Sequence, residues 1–166
     1  MKNIVLIGMP GCGKSTFGKR LAKKLALPFY DADAVLEERE QRTIKDFFAE
    51  SEDAFRAAET RTLAYLSGLK GAVIATGGGA VKRAENMDLV KRDGVVVFLD
   101  RKPENIIGCL AGDERPLLAA DKKRIYTLYD ERIALYRQYA DYTVENNDDF
   151  GSVMHKLQTI VQKLEE

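Results

Sequence analysis

Eight residues, GMPGCGKS from Gly8 to Ser15, constrain this chain more than any others. They follow the apolar run Ile4, Val5, Leu6 and Ile7, and they precede Phe17, Leu21 and Leu25 at helical spacing. A buried strand, a glycine-rich turn and a helix, in that order, form the context in which G-x-x-x-x-G-K-[ST] holds phosphate. The glycines let backbone N–H groups converge on one anion, and the helix N-terminus adds partial positive charge at the same point. Gly11, Cys12, Gly13, Lys14, Ser15 and Thr16 are therefore the expected binding residues for a nucleoside triphosphate. Lys14 would reach the β- and γ-phosphates, and the Ser15 hydroxyl would ligate Mg²⁺. Cys12 reads either as a small residue in a crowded turn or as an oxidation-sensitive thiol.

At 166 residues the chain is expected to form a single domain over 1–166. Its 26 basic and 26 acidic residues balance, so no net field draws it to nucleic acid or to anionic lipid. No apolar run is long enough to span a bilayer, and the N-terminus enters the first strand directly rather than forming a signal peptide. Two cysteines, Cys12 and Cys109, make no disulfide framework and fit a reducing cytoplasm. With no long apolar stripe left over for an obligate dimer, a monomer is expected.

Four further segments read as strands: Pro28–Asp31, Ala72–Ala75, Val95–Leu99 and Tyr142–Val144. Val95–Leu99 is apolar throughout, as in a parallel strand covered on both faces. Helical patterns separate them, so β and α alternate. In the last helix Phe150, Val153, Met154, Leu157, Ile160, Val161 and Leu164 mark one apolar stripe, with His155 beside it as a solvated residue. The charged segment Ala111–Lys123, with Gly112 and Pro116, is either a connecting loop or a lid that closes over phosphates.

Four other places bear on a second substrate. The first is YDAD, Tyr30 to Asp33, at a strand end where open α/β sheets bind ligands. In a continuing strand Asp31 and Asp33 would share a face, one near Mg²⁺ and the other taking a proton from an attacking hydroxyl. Asp33 equally fits the N-cap of a helix starting at Ala34. In FRAAE, Arg56 and Glu59 stand three apart on a helix after a turn at Ser51. They form either a surface pair or a device in which Glu59 orients Arg56 to grip a carboxylate bidentately. TGGG, Thr76 to Gly79, allows a ligand close to bare backbone. Arg115 in the charged segment, with Arg132 and Arg137 on the next helix, completes the set; Arg115 is placed to stabilise a γ-phosphoryl group.

These motifs, together with RPLL (Arg115 to Leu118) and ERIALYR (Glu131 to Arg137), occur in an order and spacing that resembles the bacterial-type shikimate kinases over nearly the whole chain. The resemblance implies a three-layer α/β/α P-loop kinase with a five-stranded parallel sheet, strand order 2-3-1-4-5, and a mobile lid at about 111–123. It implies transfer of the γ-phosphoryl of ATP to the 3-hydroxyl of shikimate, with Mg²⁺, in chorismate and aromatic amino-acid biosynthesis. By the same resemblance Lys14 and Ser15 serve phosphate and metal, and Asp31 stands near the metal through water. Asp33 binds acceptor hydroxyls as candidate base, Arg56 and Arg132 clamp the carboxylate, Gly78 and Gly79 lie against the substrate, and Arg115 meets the phosphates. Relatives carry an arginine on the adenine ring shortly before the lid, whereas Ile106–Glu114 here reads IIGCLAGDE. The acidic ENNDD, Glu145 to Asp149, stands where some relatives are basic, so weaker nucleotide selectivity is expected. The competing readings are a gluconate-type or nucleotide kinase of the same fold, and a kinase-like binding protein without turnover.

Overall fold

The computed structural model describes residues 1–111 and 119–165. The apolar run before the glycine loop is β1 (Asn3–Ile7), buried at every position. Because strand side chains alternate between faces, full burial means that both faces of this strand are covered. The loop then opens into α1 (Lys14–Leu25), followed by β2 (Phe29–Asp31), α2 (Ala32–Glu40), α3 (Ile44–Glu50) and α4 (Glu52–Ser67). Next come β3 (Val73–Ala75), a 3₁₀ turn at Ala80–Lys82, α5 (Ala84–Arg92) and β4 (Gly94–Asp100). The chain continues through α6 (Pro103–Ala111), α7 (Ala119–Tyr139), β5 (Tyr142–Glu145) and α8 (Phe150–Leu164).

The five strands form one parallel sheet in the order β2-β3-β1-β4-β5, as the resemblance implies. α1 packs on β1 and β3 and beside α8, while α5 packs on β4 and beside α4. Register decides where the chemistry collects. Leu6 and Asp31 both pair with Ala75, and Ile7 pairs with Phe98. The glycine loop, YDAD and TGGG consequently leave the sheet at one edge, beyond the carboxyl ends of the strands, where open α/β sheets place ligands. Thr76 secures that edge: its Oγ1 donates to the Leu6 carbonyl at 2.8 Å.

Local sequence explains the helix starts. The Ser51 hydroxyl accepts from Ala54 N at 3.0 Å, the capping contact that the turn before FRAAE predicts. Asp31, not Asp33, caps α2; its Oδ1 accepts from Asp33 N at 3.0 Å and from Ala34 N at 3.3 Å. The strand therefore stops at Asp31, and both expectations for Asp33, a shared strand face and an N-cap, are corrected. A carboxylate ending a strand satisfies two helix N–H groups, which a further strand residue could not do.

The apolar stripe of α8 is buried at Val153, Met154, Leu157, Ile160 and Val161. Phe150, expected in that stripe, is instead 41% exposed, with its ring stacked on Phe17 at 4.8 Å. His155 is exposed, as expected. The charged segment is shorter than expected as a connection: Ala111 ends α6, and Ala119–Lys123 already belong to α7. The remainder of the lid expectation, Arg115 included, lies outside the described residues. Among the described residues no helix is long and apolar enough to cross a membrane.

Candidate active site

The phosphate loop owes its shape to left-handed backbone. Gly11 has φ 81° and Gly13 φ 100°, a region that side-chain-bearing residues rarely enter. Gly13 caps α1 without a side chain, and the first turn carries no acidic residue, so the N–H groups of this end face no carboxylate of their own. Lys14 is buried; its ammonium donates to the Gly8 carbonyl at 2.7 Å and to the Met9 carbonyl at 2.9 Å. Cys12 is fully buried, and its sulfur fills the space beside Gly8. Thr16 is exposed on the first turn of α1.

Ser15 Oγ donates to Asp31 Oδ2 at 2.8 Å, which leaves Asp31 with one oxygen on the helix cap and one on the phosphate loop. A hydroxyl and a carboxylate side by side next to a phosphate cradle are hard oxygen donors. They suit Mg²⁺, which takes one or two carboxylates and fills its remaining positions with water and substrate phosphate.

A cavity of about 520 Å³ adjoins the loop through Pro10. Asp33, Arg56, Gly77 to Gly79 and Arg132 all line it, so the residues singled out in four separate motifs meet in one place. Arg137, by contrast, is exposed and does not line the cavity. Burial, reinforced by the neighbouring Asp31 charge, raises the Asp33 carboxyl above its ordinary range, against the pull of Lys14 and Arg56. Arg56 Nη1 pairs with Glu59 Oε1 at 2.9 Å, with only 11% and 4% of the two side chains exposed. This is a buried pair, not a surface one. Glu59 is itself raised by burial, with Arg56 opposing, and its Oε2 has no hydrogen-bond partner among the described residues.

The three glycines make room chiefly for protein. A methyl group on Gly77 would stand 3.0 Å from Asp33 Oδ1 and 3.1 Å from Glu59 Oε2. On Gly78 it would meet Pro10 Cδ at 2.6 Å, and on Gly79 it would meet Arg56 Nη2 at 2.5 Å. The run therefore packs against Asp33, Pro10 of the phosphate loop and Arg56 in turn. Gly78→Ala is expected to push the rigid Pro10 ring and with it the phosphate loop. The apparent KM for ATP should rise severalfold and Tm should drop, as overpacking costs about 1–3 kcal/mol; steady-state kinetics and a thermal melt check this.

Several cavity and loop residues escaped the sequence reading. Lys82 and Arg124 add cations to the cavity wall, but as single charges on helical segments they carried no signal. Asn146 is 3% exposed, and its Nδ2 donates to the Cys12 carbonyl at 2.7 Å, holding the phosphate loop from the end of β5. Within ENNDD its amide was masked by the acidic neighbours. Tyr136 is fully buried, and its hydroxyl donates to the Gly78 carbonyl at 2.6 Å. It sits inside ERIALYR, whose arginines carry the motif's visible signal.

A phosphate loop and an adjoining cavity with three arginines and a buried carboxylate, at one edge of a parallel sheet, define a P-loop kinase acting on a small acid. The sequence pattern of the shikimate kinase family matches residues 10–164. The shikimate kinase of Clostridium botulinum strain Eklund 17B is 43% identical over 97% of this chain and 98% of its own length. That of Vibrio parahaemolyticus is 41% identical over 99% and 97%. Among solved structures, a shikimate kinase from Acinetobacter baumannii in complex with shikimate superposes with a TM-score of 0.86 at 36% identity, covering 99% of this chain and 93% of that one. A gluconokinase from Sinorhizobium meliloti shares the fold at a TM-score of 0.65 and 16% identity, covering 98% and 93%. The chain belongs to the shikimate kinase family, ATP-dependent kinases whose alcohol acceptor is shikimate.

Proposed function

We propose that the chain moves the γ-phosphoryl of ATP to the 3-hydroxyl of shikimate, giving shikimate 3-phosphate and ADP, with roles divided as follows. Arg56 from α4 and Arg132 from α7 grip the acceptor carboxylate, and Gly78 and Gly79 offer it bare backbone. Asp33 accepts the proton of the 3-hydroxyl as that oxygen bonds to the γ-phosphorus and the bond to the β-phosphate oxygen breaks. Lys14 and the N–H groups of Gly11 to Thr16 hold the phosphates. Ser15 and Asp31 would hold Mg²⁺, which neutralises phosphate charge when bound. For Arg115, outside the described residues, the resemblance alone supports a role toward the transferring phosphoryl group. The reading extends to a single-domain monomer in the cytoplasm, the location being supported by the two unpaired thiols.

One observation carries the proposal: Asp33, Arg56, Arg132 and the glycine run line a single cavity that shares Pro10 with the phosphate loop. Shikimate offers one carboxylate and three hydroxyls to those groups. The test is ADP release from Mg·ATP with shikimate, with gluconate and with no acceptor. Release is expected to depend on shikimate. Release that ignores both acids, beside normal ATP binding, would overturn the acceptor assignment. In the same assay GTP is expected to replace ATP with modest loss, since Ile106–Glu114 holds no arginine for the base.

A further inference from the structure

Among the described residues Tyr136 is the largest fully buried side chain, yet its one polar atom bonds to Gly78, which lines the acceptor cavity. Its ring stacks on Phe98 of β4 with centroids 5.0 Å apart, which fixes the side chain from below. Its hydroxyl donates to the carbonyl of Gly78, the glycine pressed against Pro10. The next residue, Gly79, is the seat of the Arg56 guanidinium. One helical turn before Tyr136 on α7 stands Arg132, close enough to act electrostatically on the tyrosine hydroxyl.

We infer that Tyr136 is a positioning residue for the acceptor carboxylate: its hydroxyl, by holding the Gly78 carbonyl, sets the spacing between Arg56 and Arg132. The two arginines come from helices that the chain places far apart in sequence, α4 and α7. The bond between Tyr136 and Gly78 ties the arginine of α7 to the loop on which the arginine of α4 rests. A carboxylate gripped from two sides needs that spacing held, because a bidentate contact tolerates little error in distance or angle. Burial raises the Tyr136 hydroxyl to about 12 despite the opposing Arg132 charge, so it stays a donor across the working range. This inference rests on the shikimate reading above, in which Arg56 and Arg132 are the clamp.

The experiment compares wild type with Tyr136→Phe, which keeps the ring and its stack and removes only the donor. Two acceptors are used: shikimate, and its analogue with the carboxylate reduced to a primary alcohol. Shikimate-dependent ADP release by the wild type tests the underlying reading by itself. Given that release, Tyr136→Phe should raise KM for shikimate on the order of tenfold, the size of one lost hydrogen bond that positions the two arginines. KM for ATP and kcat should stay near wild type, and the alcohol analogue should lose far less than the acid. Phe98→Leu serves as the second variant: it loosens the stack and lowers Tm but keeps the hydroxyl, so the acid-to-alcohol preference should hold. An unchanged KM for shikimate in Tyr136→Phe, an equal loss for acid and alcohol, or the same loss of preference in Phe98→Leu would each overturn the inference.

Discussion

Replacing Asp33 by Asn is expected to slow turnover by about 10²- to 10⁴-fold, the usual contribution of a positioned general base, while ATP binding persists. The same substitution should raise Tm. Burial and the Asp31 charge hold the Asp33 carboxyl above its ordinary range in the folded protein. A group whose folded pKa lies above its unfolded one contributes full stability below the unfolded value. That contribution disappears as pH rises through the folded value. Near neutral pH an ionised Asp33 is therefore a burden on the fold, and a neutral amide of the same shape lifts it. For the same reason the acid limb of kcat/KM should fall at higher pH than an ordinary aspartate would give, since the base works only when ionised. Rate measurements across pH, with thermal melts of both proteins, check all three expectations together. Wild-type-like turnover in the variant would remove Asp33 from the mechanism.

Substitution of Arg56 by Lys should raise KM for shikimate by about 10- to 100-fold, in line with the loss of one charge-assisted hydrogen bond. Charge is kept, but the flat fork is lost, and a point charge cannot face Glu59 Oε1 at 2.9 Å and a substrate carboxylate at once. Glu59 is 4% exposed, so weakening its partner also leaves a buried carboxyl with less compensation. Glu59 is already raised by burial, and it should answer by holding its proton to higher pH. Loss of stability should therefore be greater at alkaline than at acid pH. Kinetics with varied shikimate, and melts at two pH values, distinguish the binding effect from the folding effect. An unchanged KM would rule out the clamp.

Much of the frame was legible because its signals are local. An apolar run ahead of GMPGCGKS, alternating strand and helix patterns, and a Ser51 turn before FRAAE each depend on neighbours in sequence. The buried character of the Arg56–Glu59 pair was not legible, since three-residue spacing on a helix describes a surface pair and a buried pair equally well. Asp31 and Asp33 were misread for a related reason. Spacing of two suggests a shared strand face, but the hydrogen-bonding demand of the α2 N-terminus ended the strand first. Phe150 shows the limit of periodicity: it keeps the phase of the α8 stripe but sits at its first residue, beyond the reach of the sheet. Tyr136 and Asn146 act through contacts with residues 58 and 134 positions away, and no local pattern encodes such a contact.

The bond from Asn146 to the Cys12 carbonyl has a consequence for the order in which this molecule is assembled. The phosphate-binding motif leaves the ribosome within the first fifteen or so residues, but one of the side chains that hold its curve arrives near the end of synthesis, after β5. Contacts of such long sequence separation form late and slowly, because the intervening chain must be ordered before they can close. A nascent chain halted between β4 and β5 would carry the complete motif on a loop without this brace.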